Sequence, residues 1–217
     1  MSVVLTVARR ALFVPTLLPL TLVALAGAWA GPWLAMNSMG ATDAYLSEVR
    51  HGCLLFVGTL VLSMSEPLLV GREAASGLLS LRVAKAGGLG LVPRWLGLTL
   101  ACVPLVVLSA FVAGGAPRDP AALLAQLLVL AAGGLLLGSF LERGRLVPAL
   151  WALLVIGHLR PWLEAVQWEG LAVGKALALI VPRLGAVDGS QGALHALLWS
   201  LAALALARAR LLAVAGR

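Results

Sequence analysis

Residues 66–94 read EPLLVGREAASGLLSLRVAKAGGLGLVPR and separate two long apolar segments, one ending near residue 70 and the other beginning near residue 96. Charged residues recur along this stretch, while the apolar segments on either side carry almost none. Apolar segments of about 20 residues are long enough to cross a bilayer as helices. We therefore expect residues 66–94 to lie at one membrane surface, where they can contact a soluble partner.

The composition excludes a water-soluble domain. Hydrophobic residues make up 61% of the chain, charged residues make up 12%, and the mean hydropathy is +1.02. Soluble domains average about 45–50% apolar and about 25% charged residues. The strict alternation of apolar and polar residues that indicates an outer-membrane barrel is absent from the long apolar runs. We predict an all-α polytopic membrane protein that forms a single transmembrane domain over residues 1–217.

Six segments reach or approach the length of a transmembrane helix. They lie near residues 11–30, 52–70, 96–114, 121–141, 146–159 and 192–207, and the fifth is short. A further apolar stretch, 171–183, is too brief to cross alone. We expect it to form a re-entrant or interfacial helix on the outer side, with Pro182 at its end and Asp188 in the turn that follows. Residues 2–10 predict a short interfacial helix before the first span.

The distribution of basic residues predicts the orientation, because Lys and Arg that flank a span closely stay on the cytoplasmic side. With both termini inside, eleven of the sixteen Lys and Arg residues and three of the nine acidic residues fall on the inner side. The net charge of +7 is then mostly a topology signal and needs no nucleic acid to explain it. We predict a location in the inner (plasma) membrane with both termini cytoplasmic.

Tryptophan positions favour the same orientation, because indole rings prefer the headgroup region of a bilayer. Trp29, Trp33, Trp162 and Trp168 fall at the predicted outer surface, and Trp95 falls at the inner one. The spans are thus predicted to be bounded by indole rings on both sides of the membrane.

Two features inside the spans predict how the helices contact one another. Gly134 and Gly138 are four residues apart, a spacing that lets a neighbouring helix approach closely. Glu66 lies one turn inside the second span, where an unpaired carboxylate is costly. We hypothesise that Arg72 or Arg94 neutralises it, so that Glu66 and Arg94 form a gate at the cytoplasmic mouth.

Residues of the kinds that carry catalysis or metal binding are scattered. The two cysteines fall inside spans, and the histidines lack the close spacing of a pair of metal ligands: His51, His158 and His195. Residues 170–176 superficially resemble a phosphate loop but are one residue short of its spacing. We predict no catalytic residue and no metal or nucleotide site in this chain. At membrane depth, His158 and His195 should face a cavity or a partner side chain.

The polar stretch predicts a short amphipathic helix, since apolar residues at 74, 75, 78, 79 and 81 would share one face. It resembles the cytoplasmic loop of type-2 ABC exporter permeases, in which Arg-Glu is followed after three residues by Gly and a leucine-rich helix. Arg72, Glu73 and Gly77 match that pattern, while Leu78 stands where Thr is commoner. Residues 179–188 resemble the family's outer apolar helix, proline and polar turn, so the resemblance extends over the whole chain.

The resemblance implies a six-helix transport subunit that binds no cofactor itself and docks on a separate cytoplasmic ATPase, which holds ATP and magnesium. A second copy of the chain or a related permease would complete the transporter. Segment 72–86 would be the coupling segment, with Glu73 to Leu81 as the coupling helix, and its contact residues would be Arg72, Glu73, Gly77, Leu78, Leu81, Arg82 and Lys85. The few charges inside the spans favour an amphipathic or lipid-linked substrate, and membrane lipid is a further expected partner.

Three other functions stay open on the sequence. A secondary transporter or channel would show internal repeats around broken helices, and no convincing repeat relates residues 1–110 to residues 111–217. A membrane scaffold or assembly subunit would keep the partner contacts without transport. A haem-exporter-like permease of cytochrome c maturation would give His158 or His195 a purpose.

Overall fold

The computed structural model of the protein describes residues 3–12, 17–38, 42–71, 73, 76–86, 90–165, 181–182, 184 and 189–215. The regular secondary structure of these residues is helical, which confirms the all-α prediction for this part of the chain. The helices are α1 (Val3–Leu12), α2 (Leu17–Met36), α3 (Asp43–Glu66), α4 (Leu78–Ala86), α5 (Val92–Val112), α6 (Pro120–Phe140), α7 (Arg143–Ala165) and α8 (Gly189–Ala215), and a π-helical turn, Pro67–Gly71, follows α3.

Four helical segments in the described part of the chain are long and apolar enough to cross a membrane. They are Asp43–Val70, Val92–Val112, Pro120–Phe140 and Gly192–Ala215. By length and composition the chain is a multi-pass helical membrane protein. Helix α2 adds a shorter apolar stretch, Thr21–Met36. Since α2 and α7 cover most of the predicted first span and all of the fifth, a total of six spans stays a prediction.

The first two predicted spans have different bounds in the structure. Residues 11–30 belong to two helices, because α1 ends at Leu12 and α2 runs from Leu17 to Met36. The predicted short helix over residues 2–10 is α1. Helix α3 begins well before residue 52, because Thr42 caps it: its Oγ1 accepts the N–H of Tyr45 at 3.2 Å. The hydrophobic run alone did not include this polar first part of the helix.

Helix α6 is the most enclosed helix and packs against α3, α5, α7 and α8. It begins at Pro120 because Asp119 caps it, with one carboxylate oxygen accepting the N–H groups of Ala121 and Ala122 at 2.9 and 3.0 Å. A Cβ added at Gly134 would overlap the carboxyl group of Glu66, and one at Gly138 would lie 3.1 Å from Val70. The predicted close approach at Gly134 and Gly138 is confirmed.

Trp95, which the sequence placed at the inner membrane surface, packs inside the bundle and does not present its ring to the outside. Its side chain is buried, and its Nε1 donates to the carbonyl oxygen of Leu128 at 2.7 Å, which ties α5 to α6. Position along the chain places Trp95 near the start of α5 but does not tell which face of the helix it occupies. Trp29 and Trp33, in contrast, are exposed and stack with ring centroids 5.8 Å apart.

At the predicted inner end of the bundle, two short helices pack on long ones. Helix α1 lies against α5, and α4 lies against α8. The α1–α5 contact is close because Gly97 has no side chain: a Cβ there would lie 2.7 Å from the Cβ of Val7 and 2.8 Å from the carbonyl oxygen of Val4. These contacts fix α1 on the first turns of α5 and fix α4 on α8.

Candidate functional site

Glu73 is the centre of an ionic cluster at the predicted inner end. One carboxylate oxygen accepts from Arg82 Nη1 at 2.5 Å, and the other accepts from Arg94 Nη2 at 2.7 Å. The Arg94 side chain is 12% exposed, that of Glu73 20% and that of Arg82 50%. Charge-assisted hydrogen bonds of this kind are stronger when they are shielded from water. The pair with Arg94 therefore holds the segment before α4 to the start of α5.

Gly77 divides the predicted coupling helix. Its φ of +70° is in the left-handed region, which glycine adopts without the steric cost that other residues incur. Its carbonyl oxygen accepts the N–H of Leu81 at 3.2 Å and the hydroxyl of Ser80 at 2.7 Å, so α4 starts directly after it. A continuous helix from Glu73 to Leu81 is therefore wrong, because Gly77 interrupts it and α4 occupies Leu78–Ala86.

The two faces of α4 also differ from the predicted ones. Leu79 and Val83 are fully buried on the side where α4 is held to the bundle. Leu78 is 48% exposed and Leu81 is 61% exposed, so the adjacent leucines Leu78 and Leu79 point to different surroundings. Arg82 and Lys85 are exposed as well. We call the surface formed by Leu78, Leu81, Arg82 and Lys85 the α4 outer face.

Among the predicted coupling residues, the structure thus divides those that hold the segment in place from those that are available to a partner. Glu73 is engaged by two arginines of the same chain, and Gly77 provides the turn. Arg72, the remaining residue of the set, lies outside the described residues. Among the described coupling residues, those of the α4 outer face are the exposed ones.

Glu66 is not paired with Arg94, contrary to our hypothesis. The guanidinium group of Arg94 binds Glu73 instead, and Arg72 is not described. Glu66 is fully buried, and neither of its carboxyl oxygens has a hydrogen-bond partner among the described residues. Its carboxyl group fills the space left by the missing side chain of Gly134. Gly134 was predicted only as a packing residue between helices. Its missing side chain leaves the room that Glu66 occupies inside the bundle.

A second group of polar residues lies toward the predicted outer end. His51 Nε2 lies 2.9 Å from Gln126 Oε1, and Gln126 Nε2 donates to the carbonyl oxygen of Leu184 at 2.6 Å. The N–H of Leu184 donates to the carbonyl oxygen of Gly157 at 3.2 Å. Gln126 was missed at the sequence level, although a lone amide within an apolar span is itself a signal of a buried partner.

Arg160 extends this group to α8. Its Nη1 donates to the carbonyl oxygen of Val181 at 2.7 Å and to His195 Nε2 at 3.0 Å. His195 was predicted to face a cavity or a partner side chain, and the structure shows that its partner is Arg160. His158 is exposed, and its Nδ1 lies 2.9 Å from the carbonyl oxygen of Leu154 in its own helix, so it does not face a buried partner in the described part.

These contacts hold the last part of the predicted re-entrant segment inside the bundle. Pro182 and Leu184 are buried. Residues 171–180, Arg183 and Asp188 lie outside the described residues, so the helix predicted over 171–183 stays a prediction. The buried residues on either side of Arg183 agree with a chain that enters the bundle at this point.

The described residues bring no three His, Cys, Asp or Glu side chains together in a way that would hold a metal ion. Comparison of the chain with models of protein families, with curated proteins and with solved structures gives no match. The resemblance to type-2 permeases therefore rests on the residues of the polar stretch and of residues 179–188, together with the predicted topology.

Proposed function

We propose that this chain is the transmembrane permease subunit of an ATP-driven exporter and that the α4 outer face binds a separate ATPase. The observation that carries the proposal is the difference between the two sides of α4. Leu79 and Val83 fix one side of the helix in the bundle, while the opposite side exposes two leucines beside Arg82 and Lys85. Exposed apolar side chains next to cations suit a partner groove with an apolar floor and acidic edges.

The contacts of α4 give it a way to move the spans. Helix α4 packs on α8, α8 packs on α6, and Glu73 links the segment before α4 to α5 through Arg94. A displacement of α4 by the ATPase would therefore act on two long helices through packed side chains and an ion pair. Such contacts convert an interface event into a change between two helix arrangements.

The remaining parts of the proposal follow from the resemblance and the composition. The working unit would be two permease subunits, identical or related, on two ATPase subunits that bind ATP and magnesium. The chain would cross the inner membrane six times with both termini cytoplasmic. Its cargo would be amphipathic or lipid-linked, since the spans offer apolar surface and few charges.

Purification of the tagged chain from native membranes tests the proposal through a charge reversal on the α4 outer face. Lys85→Glu should abolish recovery of an ABC ATPase, because it puts repulsion into the contact. Arg145→Glu is the matched control: Arg145 is another exposed cation at the predicted inner end, at the start of α7, and its variant should retain the ATPase. Leu81→Asp, which changes the apolar part of the face, should behave as Lys85→Glu does.

The outcomes separate the competing functions. Recovery of an ATPase whose hydrolysis the chain does not stimulate would favour a scaffold or assembly subunit. Transport by the purified chain without any ATPase would establish a secondary transporter or channel and overturn the proposal. A haem-exporter role receives no support from His195, because Arg160 already occupies its Nε2 atom.

A further inference from the structure

A cavity of about 170 Å³ lies at the predicted inner end, between α1, the π-helical turn, α4 and α5. One part of its wall is apolar and includes Val7, Leu69 and Leu98. The other part carries three arginines and one glutamate: Arg10, Arg82, Arg94 and Glu73. The cavity therefore offers an apolar surface and a basic surface to the same ligand.

The charged part of the wall has an excess of two positive charges, since three arginines face one glutamate. Arg82 and Arg94 each give one nitrogen to Glu73, and a guanidinium group has five N–H donors, so both retain donors for another anion. Arg10 takes part in none of the ion pairs between described residues. Glu73 thus holds two of the guanidinium groups in place without neutralising the cavity.

The apolar part of the wall is formed where α1 lies on α5. The close contact of Val7 with Gly97 brings α1 over the first turns of α5, beside Arg94 and Leu98. Val3, at the start of α1, lines the cavity and is exposed, as is Leu5. An amphipathic helix with exposed apolar side chains lies at the surface of a bilayer. With α1 in the interfacial position that the sequence predicts, the cavity opens at the level of the lipid headgroups.

We propose that this cavity binds the phosphate group of an anionic membrane lipid. Arg10 and Arg94 donate hydrogen bonds to the phosphate oxygens, and the glycerol and the first carbons of the acyl chains lie along Val7 and Leu98. Arginine suits a phosphate because its planar donors match two oxygens at once. A soluble phosphate ester has the same anionic group but would leave the apolar wall uncovered. The cavity shares Arg82 with the α4 outer face, but the phosphate contacts are assigned to Arg10 and Arg94, so lipid binding does not depend on the proposed ATPase.

Native mass spectrometry of the full chain in detergent tests the proposal by counting retained lipids. Phosphatidylglycerol should stay bound under conditions that remove phosphatidylcholine. Arg10→Gln and Arg94→Gln should each weaken phosphatidylglycerol binding about tenfold, since each removes a charge-assisted contact. Lys85→Gln is the matched control, because Lys85 is an exposed cation of α4 that does not line the cavity, and it should leave the affinity unchanged.

Val3→Trp is a second test that leaves every charge in place. Val3 lies on the exposed start of α1, so a larger side chain can block the cavity entrance without entering the core. The variant should lose phosphatidylglycerol binding and keep its thermal midpoint. Full affinity in Val3→Trp, or an equal loss in Lys85→Gln, would assign the lipid to the general surface and overturn the proposal.

Soluble competitors distinguish the two sources of a phosphate group. Inorganic phosphate and glycerol 3-phosphate at millimolar concentration should not displace phosphatidylglycerol. Displacement by either at such concentrations would identify a site for soluble phosphate esters and would overturn the assignment to lipid. Recovery of the ATPase with the Arg10→Gln and Val3→Trp proteins is a separate measurement. If these variants lose lipid binding and still recover the ATPase, the result concerns the cavity and not the proposed function.

Discussion

Glu66 and Glu73 stand seven residues apart in the chain, but they differ in burial and in the charges around them. Glu73 is partly exposed and receives a guanidinium group from each of two helices. Glu66 is fully buried against Gly134 and has no hydrogen-bond partner among the described residues. At the predicted inner end, opposite charges hold the chain together. Inside the bundle, the space beside Gly134 accommodates a carboxyl group that has no such partner in the described part of the chain.

The comparison also separates what each carboxyl group contributes to stability. A buried polar group without a partner costs free energy relative to an apolar side chain of the same size. A partly exposed carboxylate with two cations contributes a modest stabilisation that salt weakens. Substitution of Glu66 and of Glu73 should therefore shift the free energy of unfolding in opposite directions.

The largest effect is expected when the space that holds Glu66 is filled. Gly134→Ala should lower the free energy of unfolding by about 3 kcal/mol, because the new Cβ overlaps the Glu66 carboxyl group in a packed interior. The thermal midpoint in detergent measures the change. Gly27→Ala is the matched control, since a Cβ at that helical glycine meets no atom within 4 Å and should be neutral or slightly stabilising. Equal thermal midpoints for Gly134→Ala and Gly27→Ala would show that the Glu66 carboxyl group does not lie against Gly134.

A smaller change in the opposite direction is expected from Glu66→Met. Methionine has a similar length and no polar atom that needs a partner, so the variant should be more stable by about 2 kcal/mol. Unfolding in detergent with a chemical denaturant measures the difference. Glu66→Gln keeps an unsatisfied polar group and should fall between the wild type and Glu66→Met. A less stable Glu66→Met protein would mean that Glu66 has a partner that offsets its burial.

The smallest effect is expected from Glu73→Gln, which removes the charge shared by Arg82 and Arg94. The loss should be about 1 kcal/mol at low salt and should shrink as salt rises, because screening weakens the pairs that it removes. Glu48→Gln is the matched control, since Arg118 is the ion-pair partner of Glu48 among the described residues and both side chains are more than half exposed. If Glu48→Gln lowers the free energy of unfolding as much as Glu73→Gln does, pairing with two arginines stabilises the protein no more than pairing with one.

Some features could be predicted because they depend on neighbouring residues. The polar stretch could be placed at an end of the spans, since long apolar runs flank it on both sides. The packing role of Gly134 and Gly138 followed from their spacing. The start of α4 could not be predicted in this way, because apolar residues at 74, 75, 78, 79 and 81 are equally compatible with one longer helix. The left-handed backbone at Gly77 decides between the two.

Other features depend on residues that are distant in the chain. Arg94 is 21 residues from Glu73 and 28 from Glu66, and the sequence does not tell which of the two carboxylates it pairs with. Only the packing of the segment before α4 against the start of α5 brings it to Glu73. Gln126 likewise meets Leu184, and Arg160 meets His195, through contacts between distant parts of the chain. A polar residue within an apolar run does not tell which residue is its partner.

The sequence by itself determined a multi-pass helical membrane protein with a charged segment at one end of its helices. These properties follow from hydrophobic length and charge, which each segment carries without reference to the rest of the chain. Only the tertiary structure decided that Glu73 is shared by two arginines, that Glu66 lies against Gly134, and that α1, α4 and α5 enclose a basic cavity. The physical reason is that the partner of a side chain depends on which helix faces meet, and each of these contacts joins residues from different helices.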